Sequence, residues 1–264
     1  MSDLHAEYPE FRWLERGEGE PVVLLHGLMG RMDHWEETLE SLGEVCRAIA
    51  LSLPILEQDM PEAPIEGVGR YVARFLDALD ISRAVLGGNS LGGHVALELA
   101  LEHQERVTGL VLTGSSGLFE RSFTRGVPHR PSGEYVREKM EEIFFDPRFV
   151  TPEWVESVRR TVTTPASALR VLRFARAAKR HNIEDRLGHI LVPTLLVWGR
   201  DDRITPPEIA ERFHALLRDS RLCFLPRCGH APMLEQPDAF NEVVAEWLVE
   251  TRARRAPALV GGLR

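Results

Sequence analysis

The chain contains a serine whose neighbours are typical of a nucleophile. Ser90 stands in Gly88-Asn89-Ser90-Leu91-Gly92, directly after the short apolar run Ala84–Leu86 and directly before a long apolar segment. A serine on a sharp strand-to-helix turn has a strained backbone, which lifts its hydroxyl clear of the sheet. Small residues flank such a turn because strand and helix crowd it. The pattern predicts a nucleophile, and the alternative is a serine that only caps a helix.

A serine hydroxyl needs a base to attack a carbonyl at neutral pH, and His230 is the candidate. It stands in Cys228-Gly229-His230-Ala231-Pro232, beyond the late apolar run Leu222–Leu225. Of the ten histidines, it is the only one that follows a late strand and is flanked by loop-forming glycine and proline. A loop there can place the imidazole over Ser90, although an ordinary surface loop is the alternative.

An acid should orient that imidazole and stabilise the imidazolium. The segment that follows the apolar run Thr194–Trp198 contains two candidates, Asp201 and Asp202. Because adjacent side chains diverge, only one of them can face His230. The spacing alone does not choose between them.

A tetrahedral intermediate requires two preorganised N–H donors. One is expected from Leu91, the residue after the nucleophile. The other is expected from Leu28 in His26-Gly27-Leu28-Met29-Gly30, which follows the apolar run Val22–Leu25. We expect His26 itself to be a structural hydrogen-bonding residue rather than a catalytic one.

The remaining candidate residues are weaker predictions. His94, one turn into the apolar helix, is expected to pack or to form a local hydrogen bond. The substrate pocket is expected to be mainly aromatic, with five candidate residues: Trp35, Asn89, Phe119, Phe144 and Trp154. This chemistry requires no metal and no cofactor.

The elements that position these residues alternate between short apolar runs and longer amphipathic stretches, as in parallel sheets covered by helices. The apolar runs are rich in Val, Ile and Leu, which predicts strands buried on both faces. These runs are Val22–Leu25, Ala48–Leu53, Ala84–Leu86, Leu110–Leu112, Thr194–Trp198 and Leu222–Leu225. Helical periodicity fills the gaps between them. The predicted fold class is therefore α/β, with a mostly parallel central sheet flanked by helices.

One segment breaks this alternation. Residues 118–190 contain helical patterns but no strand-like run, which predicts a helical cap inserted between two strands. The alternative is an ordinary elaboration of the helical layer. The predicted core comprises residues 1–117 and 191–250, and residues 251–264 are predicted to be a solvated C-terminal tail.

Composition excludes several classes of protein. Hydrophobic residues make up 44% of the 264 residues, enough for a core, and the net charge of −8 disfavours nucleic-acid binding. No apolar run approaches the roughly 18 residues of a membrane span. Three scattered cysteines and an N-terminus without a secretory pattern favour the cytoplasm.

Together these motifs resemble the α/β-hydrolase superfamily over nearly the whole chain, from His26 to Pro237. The superfamily pattern W-G-x-x-D-x-x-x-P, matched by Trp198–Pro206, selects Asp202 as the acid. The resemblance is strongest to carboxylesterases and to the C–C bond hydrolases of meta-cleavage products. Ser90 argues against haloalkane dehalogenases and epoxide hydrolases, which carry aspartate at that position.

The sequence also departs from these relatives. The glycine-rich loop that many of them carry is replaced by Ser52-Leu53-Pro54-Ile55-Leu56-Glu57, so the loop beside the pocket should differ. The C–C hydrolases often have tryptophan after the histidine, where this chain has Ala231. They also usually have an arginine in the cap, and Arg170, Arg173 and Arg176 lie in a suitable predicted helix here.

The expected function is hydrolysis of small to medium-sized carboxylic esters through an acyl-enzyme, by Ser90, His230 and Asp202. The alternatives are C–C hydrolysis of a vinylogous diketo acid and a non-catalytic ligand-binding role on the same fold. The expected partner is a small-molecule ester, with no nucleic acid or membrane, and the protein is expected to be a monomer or homodimer.

Overall fold

The computed structural model describes residues 8–56, 64–118 and 131–255. A single seven-stranded sheet has the strand order β1-β3-β2-β4-β5-β6-β7. All neighbouring strands are parallel except β1, which pairs antiparallel with β3. The strands are β1 Trp13–Arg16, β2 Pro21–Leu25, β3 Arg47–Leu51, β4 Ala84–Asn89, β5 Val107–Thr113, β6 Thr194–Gly199 and β7 Ser220–Leu225. The predicted α/β class with a mostly parallel sheet is confirmed.

Helices connect these strands. The α-helices are α1 Glu36–Leu42, α2 Pro64–Ala78, α3 Leu91–Glu102, α4 Gly133–Glu141, α5 Pro152–Thr163, α6 Pro165–Arg180, α7 Pro207–Leu216, α8 Pro232–Glu235 and α9 Pro237–Arg255. Short 3₁₀ turns span Met32–Trp35, Gln104–Arg106, Pro147–Phe149 and Glu184–His189. Within the three described ranges, no helix is both long and apolar enough to cross a membrane.

The sheet separates two hydrophobic clusters because strand side chains alternate between its faces. Val23 and Leu25 of β2 belong to one cluster, whereas Val22 and Leu24 belong to the other. Helices α2, α3 and α7 cover the first face, and α1 and α9 cover the second. Strands β4 and β5 are buried along their whole length, as the apolar runs Ala84–Leu86 and Leu110–Leu112 within them predict.

The described residues between β5 and β6 form helices and no strand, as the sequence predicts. Their helix boundaries follow local sequence rules. Thr151 caps α5 by accepting a hydrogen bond from the Trp154 backbone N–H at 3.2 Å, and Pro152 occupies the first turn. This segment, residues 131–189, is called the insertion below. Phe174 of α6 and Met140 of α4 join different core clusters, so the insertion contributes to both.

The C-terminal helix differs from the prediction of a tail beginning at residue 251. Helix α9 continues to Arg255, and Thr251 is buried. Arg252 and Arg255 bind Glu20 at 3.3 and 2.6 Å, which holds the last turn against the start of β2. Two basic residues of this segment, Arg252 and Arg255, therefore have partners in the fold, and residues 256–264 lie outside the described residues.

Candidate active site

Ser90 lies on a strained turn at the carboxyl end of β4. Its φ and ψ angles are 54° and −116°, and α3 begins at the next residue. The turn is crowded, as the spacing of small residues predicts. A Cβ atom added to Gly88 would lie 2.3 Å from the carbonyl carbon of Gly92, and one added to Gly92 would lie 2.1 Å from the carbonyl oxygen of Leu25. Such strain persists only where surrounding structure holds it, and it clusters at functional sites.

Hydrogen bonds from neighbouring segments fix this turn. The Ser90 N–H donates to the Thr113 carbonyl at 3.0 Å, and the Ser90 carbonyl accepts from the backbone N–H groups of His94 and Ser116 at 3.1 and 3.2 Å. The backbone of the predicted nucleophile is therefore bonded to β5, to the loop that follows β5 and to its own helix.

His230 and Asp202 are in direct contact. The His230 Nδ1 atom lies 2.9 Å from Asp202 Oδ2, and both side chains are buried. Asp202 Oδ1 also accepts from the backbone N–H groups of Ile204 and Thr205 at 2.8 and 3.0 Å, and Oδ2 accepts from the Thr205 hydroxyl at 2.9 Å. A carboxylate held by these donors keeps the proton of neutral His230 on Nδ1, which leaves the Nε2 lone pair free to act as a base.

The structure brings Asp202, rather than Asp201, to the imidazole. The Asp201 side chain is partly exposed, and its backbone N–H donates to the Cys228 carbonyl at 2.9 Å. This arrangement agrees with the choice that the superfamily pattern suggests. The catalytic roles of Ser90, His230 and Asp202 remain predictions.

His230 lies beside the strand ends that carry Ser90. A Cβ atom added to Gly114, the residue after β5, would lie 2.7 Å from His230 Nδ1, so the imidazole occupies space that a side chain there would fill. The Asn89 side chain donates to the carbonyl oxygens of His230 and Thr113 at 2.9 and 3.1 Å. Asn89 thereby ties the turn before Ser90 to the His230 loop, and its pocket role remains a prediction.

The predicted oxyanion loop packs against the nucleophile. A Cβ atom added to Gly27 would lie 3.3 Å from the Ser90 Cβ atom. His26 anchors this loop: its Nε2 accepts from the Leu53 N–H at 2.9 Å, so its Nδ1–H donates to the Gly27 carbonyl at 2.8 Å. Burial lowers the pKa of His26 to about 4, which keeps it neutral. Its predicted structural role is confirmed, whereas the donor roles of Leu28 and Leu91 remain predictions.

Two of the predicted pocket residues, Phe144 and Trp154, are in ring contact. The Phe144 and Trp154 rings are 5.7 Å apart, and Phe144 also stacks on Phe149 at 5.5 Å. Trp35 is 1% exposed, packs against Phe240 of α9 at 6.1 Å and belongs to the same hydrophobic cluster as Phe144. The pocket roles of Trp35, Phe144 and Trp154 therefore remain predictions. Phe119 lies outside the described residues.

One residue near His230 has no sequence signal that identifies it. Glu235 of α8 accepts from the backbone N–H of Gly229 at 2.6 Å through Oε2, and from that of Asp146 at 2.6 Å through Oε1. The His230 N–H also donates to the Ile143 carbonyl at 2.7 Å. The insertion therefore binds the loop of the predicted base at several points.

The described residues form no cluster of three or more His, Cys, Asp or Glu side chains placed to hold a metal ion. The groups that the structure brings to this end of the sheet are a serine on a strained turn and an imidazole paired with a buried carboxylate. A strained serine between a buried parallel strand and a helix, with a His–Asp pair at the same end of the sheet, defines the α/β-hydrolase architecture.

Comparison with known proteins identifies the family. The alpha/beta hydrolase family matches residues 22–243, and this chain belongs to it. It is 30% identical to the 2-hydroxy-6-oxononadienedioate/2-hydroxy-6-oxononatrienedioate hydrolase of Comamonas testosteroni, with 89% of each chain covered.

Two solved structures of named enzymes are also similar to the chain. The meta-cleavage product hydrolase of Pseudomonas fluorescens IP01 is 27% identical, with a TM-score of 0.77 and coverage of 91% of this chain and 94% of that one. A thermophilic esterase from Thermogutta terrifontis is 27% identical, with a TM-score of 0.75 and coverage of 91% and 93%. The three relatives are named as two hydrolases and one esterase, so their names agree on hydrolysis but differ in the substrate.

Proposed function

We propose that this chain is a cytoplasmic serine hydrolase that cleaves small to medium-sized carboxylic esters through an acyl-enzyme. The observation that carries the proposal is the 2.9 Å contact of His230 Nδ1 with buried Asp202, at the strand ends that hold strained Ser90. The similar esterase structure supports the ester as substrate. In addition, Ala231 follows the histidine where C–C hydrolases often carry tryptophan.

The reaction follows from the roles that this geometry permits. Ser90 Oγ attacks the ester carbonyl while His230 Nε2 takes the hydroxyl proton, and the backbone N–H groups of Leu28 and Leu91 stabilise the oxyanion. When the intermediate collapses, the C–O bond breaks and the imidazolium protonates the leaving alcohol. Water, deprotonated by His230, then attacks the acyl-enzyme and releases the acid and Ser90. Asp202 acts by holding the imidazole in the required tautomer.

The insertion is proposed to be the cap that roofs this site, with residues 1–117 and 191–250 as the hydrolase core. The contacts of Ile143 and Asp146 with the His230 loop support this division of the chain. The rings of Phe144 and Trp154 in the cap, with His34 of the core 5.1 Å from Trp154, would give the site an aromatic surface toward an acyl or alcohol group.

The test compares wild type with Ser90→Ala on a chromogenic short-chain ester. Wild type should show burst-phase release and react with a fluorophosphonate probe, whereas the variant should do neither and should retain its far-UV circular dichroism. If Ser90→Ala retains most of the wild-type activity, Ser90 is not the nucleophile. A wild type that is not labelled by the probe would favour a non-catalytic ligand-binding role.

A second candidate function is hydrolysis of a C–C bond in a vinylogous diketo acid by the same residues. The similarity to two enzymes named for dienoate and meta-cleavage substrates favours it. Turnover of a ring-fission dienoate should be compared with that of a simple ester under the same conditions. If kcat/KM for the dienoate is the larger by a factor of ten or more, the ester assignment is wrong.

A further inference from the structure

Two histidines that are separate from the His230–Asp202 pair are in contact with one another near the Ser90 turn. His94 of α3 is completely buried, and its Nε2 atom lies 3.0 Å from Nδ1 of His181, at the end of α6 in the insertion. The centroids of the two rings are 5.1 Å apart, and the rings are tilted by 31°. The proposed mechanism uses neither residue.

The pair connects two carboxylates to the nucleophile. His181 Nε2 lies 3.4 Å from Glu66 of α2 and 3.8 Å from Glu98 of α3. At the other end, His94 Nδ1 lies 3.3 Å from the Ser116 hydroxyl. That hydroxyl is in turn 3.4 Å from the Ser90 carbonyl oxygen. Arg186 also binds Glu98, at 3.0 Å, and places a positive charge beside this carboxylate.

Donor and acceptor rules fix the direction of these bonds while both histidines are neutral. His181 must direct its Nε2–H toward the carboxylates, so its Nδ1 accepts from His94 Nε2–H. His94 Nδ1 then accepts from the Ser116 hydroxyl. In this state the Ser116 hydroxyl proton points away from Ser90.

A proton added to His181 reverses every bond. Both nitrogens of His181 then donate, so His94 must accept at Nε2 and donate from Nδ1 to the Ser116 oxygen. The Ser116 hydroxyl proton is left to donate to the Ser90 carbonyl. Burial, followed by the charge of His181, lowers the pKa of His94 to about 3, so His94 stays neutral.

The Ser90 carbonyl and the Leu91 N–H belong to one peptide group. A further hydrogen bond to the carbonyl polarises that group and strengthens the N–H as a donor. Resting on the function proposed above, we infer that His181 and His94 form a proton-dependent relay that tunes the oxyanion donor Leu91. They are positioning residues, because they act through Ser116 rather than on the substrate.

The expected effect is modest. Loss of one oxyanion donor reduces kcat by two to three orders of magnitude, and cooperative polarisation changes one bond by about 10–30%. The relay should therefore change kcat by about two- to eightfold.

The experiment measures ester kcat from pH 8 to pH 5 in wild type and in His181→Asn. The asparagine carbonyl replaces Nδ1 as an acceptor for His94 but cannot gain a proton. The ratio of wild-type to variant kcat cancels any pH dependence that the two proteins share, and it should rise about two- to eightfold as the pH falls. His103→Asn, which changes a partly exposed histidine at the end of α3, should give a flat ratio.

Nitrogen-15 NMR of His94 provides a readout that does not depend on turnover. Its proton should move from Nε2 to Nδ1 as the pH falls. If His181→Asn does not fold, Ser116→Ala should give the same pH-dependent ratio. A flat ratio, or a His94 that keeps its Nε2 proton throughout, would overturn the relay. Absence of fluorophosphonate labelling in wild type would instead overturn the proposed hydrolase function, whatever the NMR result.

Discussion

The substitution Asp202→Asn tests the assignment of the orienting acid. Asp202 Oδ1 accepts two backbone N–H groups, from Ile204 and Thr205, so the asparagine oxygen should take that position. The amide NH₂ then replaces Oδ2, which lies 2.9 Å from His230 Nδ1. Two donors cannot face one another, so His230 must accept at Nδ1 and carry its proton on Nε2.

That tautomer cannot take the proton of Ser90. The Thr205 hydroxyl, 3.3 Å from His230 Nδ1, can then donate to that nitrogen and reinforce the wrong tautomer. In a serine protease with the same arrangement, the corresponding change reduces kcat about 10⁴-fold. We expect a similar loss here, equivalent to about 5.5 kcal/mol of transition-state stabilisation. The backbone donors stay satisfied, so the free energy of unfolding should change by less than about 2 kcal/mol.

The assay is steady-state hydrolysis of a chromogenic ester at pH 7, with urea denaturation to confirm folding. Asp201→Asn is the matched control, because Asp201 is adjacent and carries the same charge but does not contact His230 through any described hydrogen bond. Its kcat should remain within about twofold of wild type. The reasoning fails if Asp202→Asn keeps more than a tenth of the activity, or if Asp201→Asn is the more damaging change.

Three further predictions concern stability. Ser90→Gly should remove the strain of a φ of 54° and be about 1 kcal/mol more stable in urea than Ser90→Ala; equal stabilities would contradict this strain. Burial lowers the pKa of His26 from its ordinary 6.5 to about 4, so unfolding takes up a proton between these values and acid destabilises the fold. Around pH 5 the free energy of unfolding should therefore fall by about 1.2 kcal/mol per unit of decreasing pH because of His26. His26→Asn should abolish this contribution. An unchanged pH dependence in the variant would refute the burial of His26 as a neutral group. Glu235 accepts from the N–H groups of Gly229 and Asp146, and the glutamine of Glu235→Gln can accept from only one of them. The substitution should therefore lower the free energy of unfolding by about 1–3 kcal/mol, measured by thermal denaturation. A variant as stable as wild type would show that neither bond contributes to stability.

Local sequence patterns determined much of this protein. The parallel strands follow from uninterrupted apolar runs, because a strand covered on both faces needs no polar alternation. The turn at Ser90 follows from small residues at fixed spacing, because its crowding arises within a few residues of the chain. The structural role of His26 could be predicted for a similar reason, since it directly follows a buried strand.

Only the tertiary structure decided how distant groups face one another. Spacing could not separate Asp201 from Asp202, because the choice depends on which side chain points toward a loop 28 residues later. The pairing of His94 with His181 joins residues 87 positions apart, and no local pattern encodes such a contact.

The same reason explains the other differences between sequence and structure. Asn89 binds the His230 loop, and Trp35 packs on a helix more than 200 residues later. Helix α9 continues to Arg255 because Glu20, near the other end of the chain, binds its last basic residues. Periodicity specifies which face of an element is buried, but the partner that covers that face is set by the packing of the whole chain.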